Sequence, residues 1–132
     1  MTEGEWAGLF DPDEAIGDQH VLMLQVRDRG KCAWCGEPFG ADLQTEPDIH
    51  HRKLRSREGR NGLANLIRVC HAEHMGLHND LAEIGAKRGF LVSRYADERE
   101  VPLVLHSGFE VLLSDEYPDY EATGKWIDTR TL

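Results

Sequence analysis

Four of the five histidines within residues 48–79 constrain this chain more than any other feature of its sequence. His74 and His78 are four residues apart, so on a helix their imidazoles lie on one face and can reach one divalent ion. The run Asp-Ile-His-His-Arg alternates as a strand does, which turns His50 and His51 to opposite sides. One of the two can then bind the ion while the other stays free.

A site of three imidazoles favours catalysis over a purely structural role. It leaves coordination positions for a phosphate oxygen, a leaving group or water. The free imidazole titrates near neutral pH and can serve as a general base. The alternative is that the histidines, each more often structural when taken singly, form a solvated surface or a fortuitous metal-binding tract. The combined spacing predicts a metal-dependent nuclease centre.

These residues resemble the signature of the HNH, or His-Me finger, endonucleases of small bacteriophage and bacterial type. The resemblance lies between residues 20 and 113, and the final His-x-x-x-His is similar to the colicin-DNase form. The segments that carry it are Cys32-Ala-Trp-Cys35-Gly, Ile-His-His-Arg, Asn65-Leu, and Val-Cys70 leading into His74 and His78.

The resemblance implies a β-hairpin followed by a helix around one metal. It implies His50, His74 and His78 as metal ligands and His51 as the base, with Asn65 holding the hairpin loop and orienting His51. The implied reaction is hydrolysis of DNA to a 5′-phosphate and a 3′-hydroxyl in phage or mobile-element DNA processing, and the expected substrate is double-stranded DNA. The catalytic ion would be Mg²⁺, Mn²⁺, Ni²⁺ or Zn²⁺.

Two other functions remain open at this point. The first is a catalytically silent, zinc-stabilised DNA-binding or DNA-packaging accessory module, for which the acidic surface would suit a protein partner such as phage packaging machinery. The second is a toxin-like effector nuclease, which ranks lower because nothing in the sequence resembles a delivery or receptor segment. A plasmid-nicking assay separates the first from the nuclease.

Three cysteines are too few for a complete disulfide framework, and the spacing of Cys32 and Cys35 suits thiolates on a metal. We therefore predict a zinc-knuckle-like turn with Cys70 as a third ligand and Glu73 or His71 as the fourth. The alternative is three buried cysteines that act as small apolar residues.

The 132 residues suit one domain, and the sequence contains no apolar run near the length of a membrane span. The N-terminus is acidic where a secretory signal would be basic and then apolar. We expect a cytoplasmic protein of a bacterial or phage-infected cell, with no membrane partner.

The net charge of −9 opposes binding to a phosphate backbone, but the charge is unevenly distributed. Residues 50–70 contain six basic side chains and one acidic side chain, a local charge of +5. We predict that this segment contacts DNA. The alternative is a solvated charged loop. The predicted contacts are Arg52, Lys53, Arg55, Arg57 and Arg60.

The predicted fold class is α+β, in three parts. Residues 1–17 are expected to form a weakly ordered lead-in, residues 18–89 the nuclease core, and residues 90–132 an extension of short strands with an acidic tail that is disordered or docks a partner. The core is predicted to hold an apolar helix from Asp18, its N-cap, to Arg29. Strands at 48–52 and 63–69 and one helix over 71–87 follow.

Overall fold

The computed structural model describes residues 11–132, which form a mixed fold of helices and two small antiparallel sheets. This agrees with the predicted mixture of α and β elements. The α-helices are α1 (Asp18–Asp28), α2 (His71–Leu77) and α3 (Ala82–Lys87). The strands are β1 (Pro47–His51), β2 (Leu66–Cys70), β3 (Leu103–Val104), β4 (Phe109–Leu113) and β5 (Tyr120–Trp126). Short 3-10 helices cover Arg55–Arg57, Leu63–Asn65 and Thr129–Thr131.

The hairpin of β1 and β2 positions the histidine cluster. His50 pairs with Ile67, and His51 pairs with Leu66. Every residue of β2 is buried, and its β-branched Ile67 and Val69 suit a strand covered on both faces. Helix α2 starts directly after β2 and lies against both strands. Strand β1, which carries His50, and helix α2, which carries His74 and has His78 as its C-cap, therefore lie side by side.

The prediction of one continuous helix over residues 71–87 is wrong. The structure has two helices with a turn between them. The backbone amides of Asn79 and Leu81 both donate to the carbonyl of Gly76, at 2.9 and 2.8 Å. Leu81 folds onto Gly76, where an added Cβ would lie 2.5 Å from its side chain. His78 is the C-cap of α2, so it remains one turn below His74.

Helix α1 is only in part the apolar core helix that the sequence predicts: Leu24 is buried against Leu63 and Leu66, but other apolar residues are not. Leu22 and Val26 are 54% and 51% exposed. The face turned to the hairpin also holds Arg27, whose guanidinium donates to the carbonyls of Leu63 and Leu66. Buried carbonyls need a donor, and Arg27 supplies it. The predicted N-cap is also displaced by one residue: Gly17 is the N-cap and Asp18 the first helical residue. The end at Arg29 and Gly30 is as predicted, with both residues at positive φ.

The C-terminal region forms a sheet in the order β3-β4-β5. The extension predicted to hold short strands does not begin with one: residues 90–92 form no strand, and their backbone bonds to the hairpin, where the amide of Val92 donates to the carbonyl of Arg52. The tail predicted to be disordered or to dock a partner contains β5, which pairs with β4. Phe90, Leu103 and Val111 join residues of the hairpin in one apolar cluster. The sheet therefore packs against the hairpin through this cluster.

The predicted lead-in lies partly outside the described residues, since residues 1–10 are not among them. Its described part bonds to the hairpin loop. The amide of Asn61 donates to the carbonyl of Pro12 at 2.8 Å, and the guanidinium of Arg60 bonds to both carboxylate oxygens of Asp13. Within residues 11–132, none of the helices has the length and apolar character that crossing a bilayer requires.

Candidate active site

Three imidazoles converge beside the hairpin. His50 comes from β1, and His74 and His78 come from α2 and its C-cap. Their ring centroids are 5.1 to 5.8 Å apart, and one nitrogen of each lies within 4.8 Å of the others. The Nε2 atoms of His74 and His78 are 3.4 Å apart. Two nitrogens bound to one tetrahedral ion also lie about 3.4 Å apart. The group is therefore close enough to hold a metal ion.

His50 provides the strongest test of whether an ion fits. Its side chain is fully buried, and its Nε2 lies 2.7 Å from the carbonyl oxygen of Phe90. A carbonyl can only accept, so Nε2 carries the proton and Nδ1 carries a lone pair. Among the described residues Nδ1 has no hydrogen-bond partner. Burial also lowers the pKa of His50 to about 4, so the ring is neutral. A buried lone pair without a donor is destabilising, and a cation at this position satisfies it.

Asp48 orients His74, the second candidate ligand, and the sequence analysis did not single Asp48 out. Its carboxylate accepts from Nδ1 of His74 at 2.9 Å, which leaves Nε2 of that ring facing the cluster. The same oxygen accepts from Nδ1 of His71 at 2.6 Å. Although burial acts the other way, these two bonds lower the pKa of Asp48, so it is a carboxylate. Such a carboxylate–histidine pair fixes the tautomer and orientation of a metal ligand. The sequence did contain one indication of this role: Asp48 lies two residues before His50, and so on the same face of the strand.

His51 lies at the end of β1 and lines a pocket of about 370 Å³ together with the three clustered histidines. Its Nε2 lies 2.8 Å from Oδ1 of Asn61, whose own Nδ2 donates to the carbonyl of Glu14 at 2.7 Å. The amide oxygen therefore faces His51, Nε2 carries the proton, and Nδ1 is left as the basic nitrogen. Burial, aided by the charge of Arg55, lowers the pKa of His51. This imidazole is neutral at neutral pH.

Asn65 does hold the hairpin loop, but it makes no hydrogen bond to His51 among the described residues. Its Oδ1 accepts from the amide of Lys53 at 2.7 Å, and its Nδ2 donates to the carbonyls of Lys53 and Arg60 at 3.0 and 2.9 Å. The side chain that orients His51 is Asn61, next to the carbonyl that Asn65 fixes. Asn61 lies in the loop that the sequence analysis assigned to phosphate contacts, so its role was not visible from spacing.

A second group of candidate ligands lies at the start of α2. Cys32, Cys35, Cys70 and Glu73 offer atoms that all lie within 4.8 Å of one another. Of the two predicted fourth ligands, Glu73 belongs to this group, whereas His71 bonds to Asp48. Burial, with the neighbouring sulfur of Cys32, raises the pKa of Cys35 to about 11. A cation would oppose this effect by stabilising the thiolates. The group is close enough to bind a metal ion.

The predicted DNA contact at Arg52 is wrong, because its side chain is fully buried. Its guanidinium donates to four carbonyl oxygens, at distances from 2.6 to 2.9 Å. The acceptors belong to Ala64, Gly89, Glu98 and Val101. Arg52 therefore ties the hairpin to the segment after α3, and it cannot reach a phosphate.

The other predicted contacts differ in their partners. Lys53 forms an ion pair with Glu98 at 3.3 Å, and Arg60 is held by Asp13. Arg55 and Arg57 are exposed and have no acidic partner among residues 11–132. Arg55 also lines the histidine pocket. Only this part of the basic segment is free to meet an anion.

Comparison of the chain with protein-family models, with curated proteins and with solved structures finds no match. The resemblance to HNH endonucleases therefore rests on the sequence motifs alone and stays a prediction.

Proposed function

We propose that this protein is a metal-dependent endonuclease that hydrolyses phosphodiester bonds in DNA, on a His-Me finger formed by β1, β2 and α2. The observation that carries the proposal is the pocket of His50, His51, His74 and His78. Three of these imidazoles have nitrogens arranged for one ion, and the fourth presents a basic nitrogen beside them.

His50, His74 and His78 would hold the ion. A divalent cation supplies a Lewis acid that polarises the scissile phosphate and stabilises the leaving oxygen. The three ligands differ in exposure: His50 is buried, His74 is partly buried and His78 is exposed. This gradient leaves one side of the site open to the pocket, where a phosphate group can approach.

His51 would act as the general base. With its Nε2–H donated to Asn61, it accepts a proton from water at Nδ1. Proton transfer from water to Nδ1 would leave the hydrogen bond from Nε2 to Asn61 intact, since the two steps use different ring nitrogens. Arg55 at the pocket wall would bind a phosphate oxygen and hold the strand in line.

The silent DNA-binding module is the competing function, and His51 separates the two. A binding module has no use for a neutral imidazole with a free nitrogen beside an open metal site, whereas hydrolysis requires one.

The test is the nicking of supercoiled plasmid by purified protein with Mg²⁺, Mn²⁺, Ni²⁺ or Zn²⁺, with and without chelator. We expect metal-dependent nicking that is lost in His51→Ala, while that variant still binds DNA and metal. His106→Ala is the matched control, because His106 is exposed and does not line the pocket. Binding with no nicking under any of these metals would reject the nuclease in favour of the module.

A further inference from the structure

We infer that a second nucleic-acid contact lies beside the pocket, formed by Arg57, Arg94 and Tyr95, and we call it the basic–aromatic surface. It would take the sugar-phosphate backbone of a strand on its arginines and an unpaired base on Tyr95. This inference rests on the proposed function, since it names how the substrate of that site is held.

The three side chains line one cleft of about 260 Å³ together with Ser93. Arg57 and Arg94 are exposed, and neither has an acidic partner among residues 11–132. Three exposed arginines, by contrast, are each held by a carboxylate: Arg60 by Asp13, Arg99 by Asp97 and Arg130 by Asp128. On a protein of net charge −9, two unpaired arginines at one cleft favour an anionic ligand.

The cleft lies next to the histidine pocket along the chain. Arg55 and Ser56 line the pocket, and Arg57, the next residue, lines the cleft. The guanidinium of Arg94 donates to the carbonyl of Ser56 at 3.3 Å, which joins the two segments. A strand whose phosphate enters the pocket would therefore lie close to Arg57 and Arg94. This proximity to the proposed cleavage site favours a nucleic acid over an acidic peptide.

The segment that carries Arg94 and Tyr95 is fixed in place by the hairpin. The buried guanidinium of Arg52 holds the carbonyls of Glu98 and Val101, and the carbonyl of Arg52 accepts from the amide of Val92 at 2.8 Å. Lys53 adds an ion pair to Glu98. The basic–aromatic surface is thus held in position before a strand arrives, which lowers the entropy lost on binding.

Tyr95 is 92% exposed, the highest value among the large exposed apolar and aromatic side chains of the described residues. It contributes little to the core, so packing does not account for an aromatic residue here. An exposed ring beside arginines suits stacking on a base of a single strand, which needs no particular sequence. We therefore expect a substrate with an unpaired stretch beside the cut site.

The test is fluorescence anisotropy with labelled single-stranded and duplex oligonucleotides, in the His51→Ala background so that the strand is not cut. Arg57→Ala and Arg94→Ala should each weaken binding by about tenfold at low salt and reduce the slope of log affinity against log salt by roughly 0.7 to 0.9. Tyr95→Leu should weaken single-strand binding by about tenfold, whereas Tyr95→Phe retains it. Arg130→Ala is the matched control and should bind as the background does.

Binding by the Arg57→Ala/Arg94→Ala double variant that equals the Arg130→Ala control would overturn the inference, as would equal effects of Tyr95→Leu and Tyr95→Phe. Displacement of the oligonucleotide by polyglutamate at equal charge concentration would also overturn it, in favour of an acidic protein partner. The nuclease proposal fails separately: a wild-type protein that shows these binding effects but nicks no plasmid retains the surface and loses the enzyme.

Discussion

The histidine cluster and the cysteine cluster are both built around α2, yet they differ in what surrounds them. Glu73 belongs to one and His74, the next residue, to the other. The cysteine cluster has four candidate ligands, of which Cys32 and Cys70 are buried. The histidine cluster has three, opens into a pocket and has His51 beside it. A tetrahedral ion with four protein ligands has no position for a substrate, whereas an ion with three does. Under the proposed function, the cysteine cluster would stabilise the fold and the histidine cluster would carry the reaction.

The largest expected effect is on the free energy of unfolding, which should depend on the cysteine cluster and not on the histidine cluster. Cys70→Ser should remove a ligand that joins β2 to the Cys32–Cys35 turn, and should lower the free energy of unfolding by several kcal/mol, roughly the scale for the loss of a structural metal. His78→Ala should leave it nearly unchanged, because His78 is exposed. Thermal denaturation with and without chelator measures both. Equal losses in the two variants would contradict the division.

The second prediction concerns catalysis without stability. His51→Ala should reduce the rate of plasmid cleavage by about 10²- to 10⁴-fold, because it removes the proton acceptor. The metal content should stay the same, since His50 carries the ligand nitrogen. Metal analysis of the purified variant and single-turnover cleavage provide the two readings. Loss of the ion together with activity would assign His51 to the metal and not to the proton.

The third prediction concerns the group that orients the base. Asn61→Leu should lower kcat by roughly 10-fold to 100-fold, since Nε2–H loses its acceptor and the other tautomer becomes accessible. KM should change little. Nitrogen NMR of the His51 ring should show a proton fixed on Nε2 in the wild type and a mixture in the variant. Glu14→Ala is the control, because Glu14 contributes its backbone carbonyl to Asn61 and not its side chain; a fixed Nε2–H in Asn61→Leu would contradict the role.

The smallest effect lies in the pH profile. The pKa of His51 is lowered mainly by burial, and the charge of Arg55 lowers it further. The neutral base therefore persists below the usual imidazole pKa of about 6.5, and cleavage declines only at lower pH. Arg55→Ala removes one of these causes, so the acid limb should move upward by a few tenths of a pH unit, on the order expected of a single partly screened charge. The limb is measured at saturating DNA, with Arg57→Ala as control. A downward movement in Arg55→Ala would contradict the electrostatic account.

Local geometry predicted that His74 and His78 share a face and that His50 and His51 point to opposite sides, whereas the choice of His50 as the third ligand came from the family resemblance. A strand sets the side to which His50 points, and a helical turn separates the other two. Cys70 and Glu73 lie close together because Cys70 ends β2 where α2 begins. These features depend on short-range periodicity, which a sequence displays directly, whereas the approach of Cys32 to Cys70 is a contact across 38 residues.

The misplaced residues depend on tertiary contacts. Arg52 looks like a phosphate ligand in the sequence, but four carbonyls from distant segments need its donors. Asn61 gains its role from the carbonyl of Glu14, 47 residues away in the chain. Leu22 and Val26 face outward because α1 turns Arg27 to the hairpin. Composition alone does not indicate which carbonyls lack a donor, so these assignments required the fold.

The central claim is that one ion is shared by Nδ1 of His50 and the Nε2 atoms of His74 and His78. Anomalous diffraction from a crystal grown with Ni²⁺ tests it most directly. The account predicts one anomalous peak at about 2.1 Å from each of these three nitrogens, with Nδ1 of His51 facing the pocket beside it. A peak bound by other atoms, or three rings that turn away from one another in the presence of the metal, would contradict it.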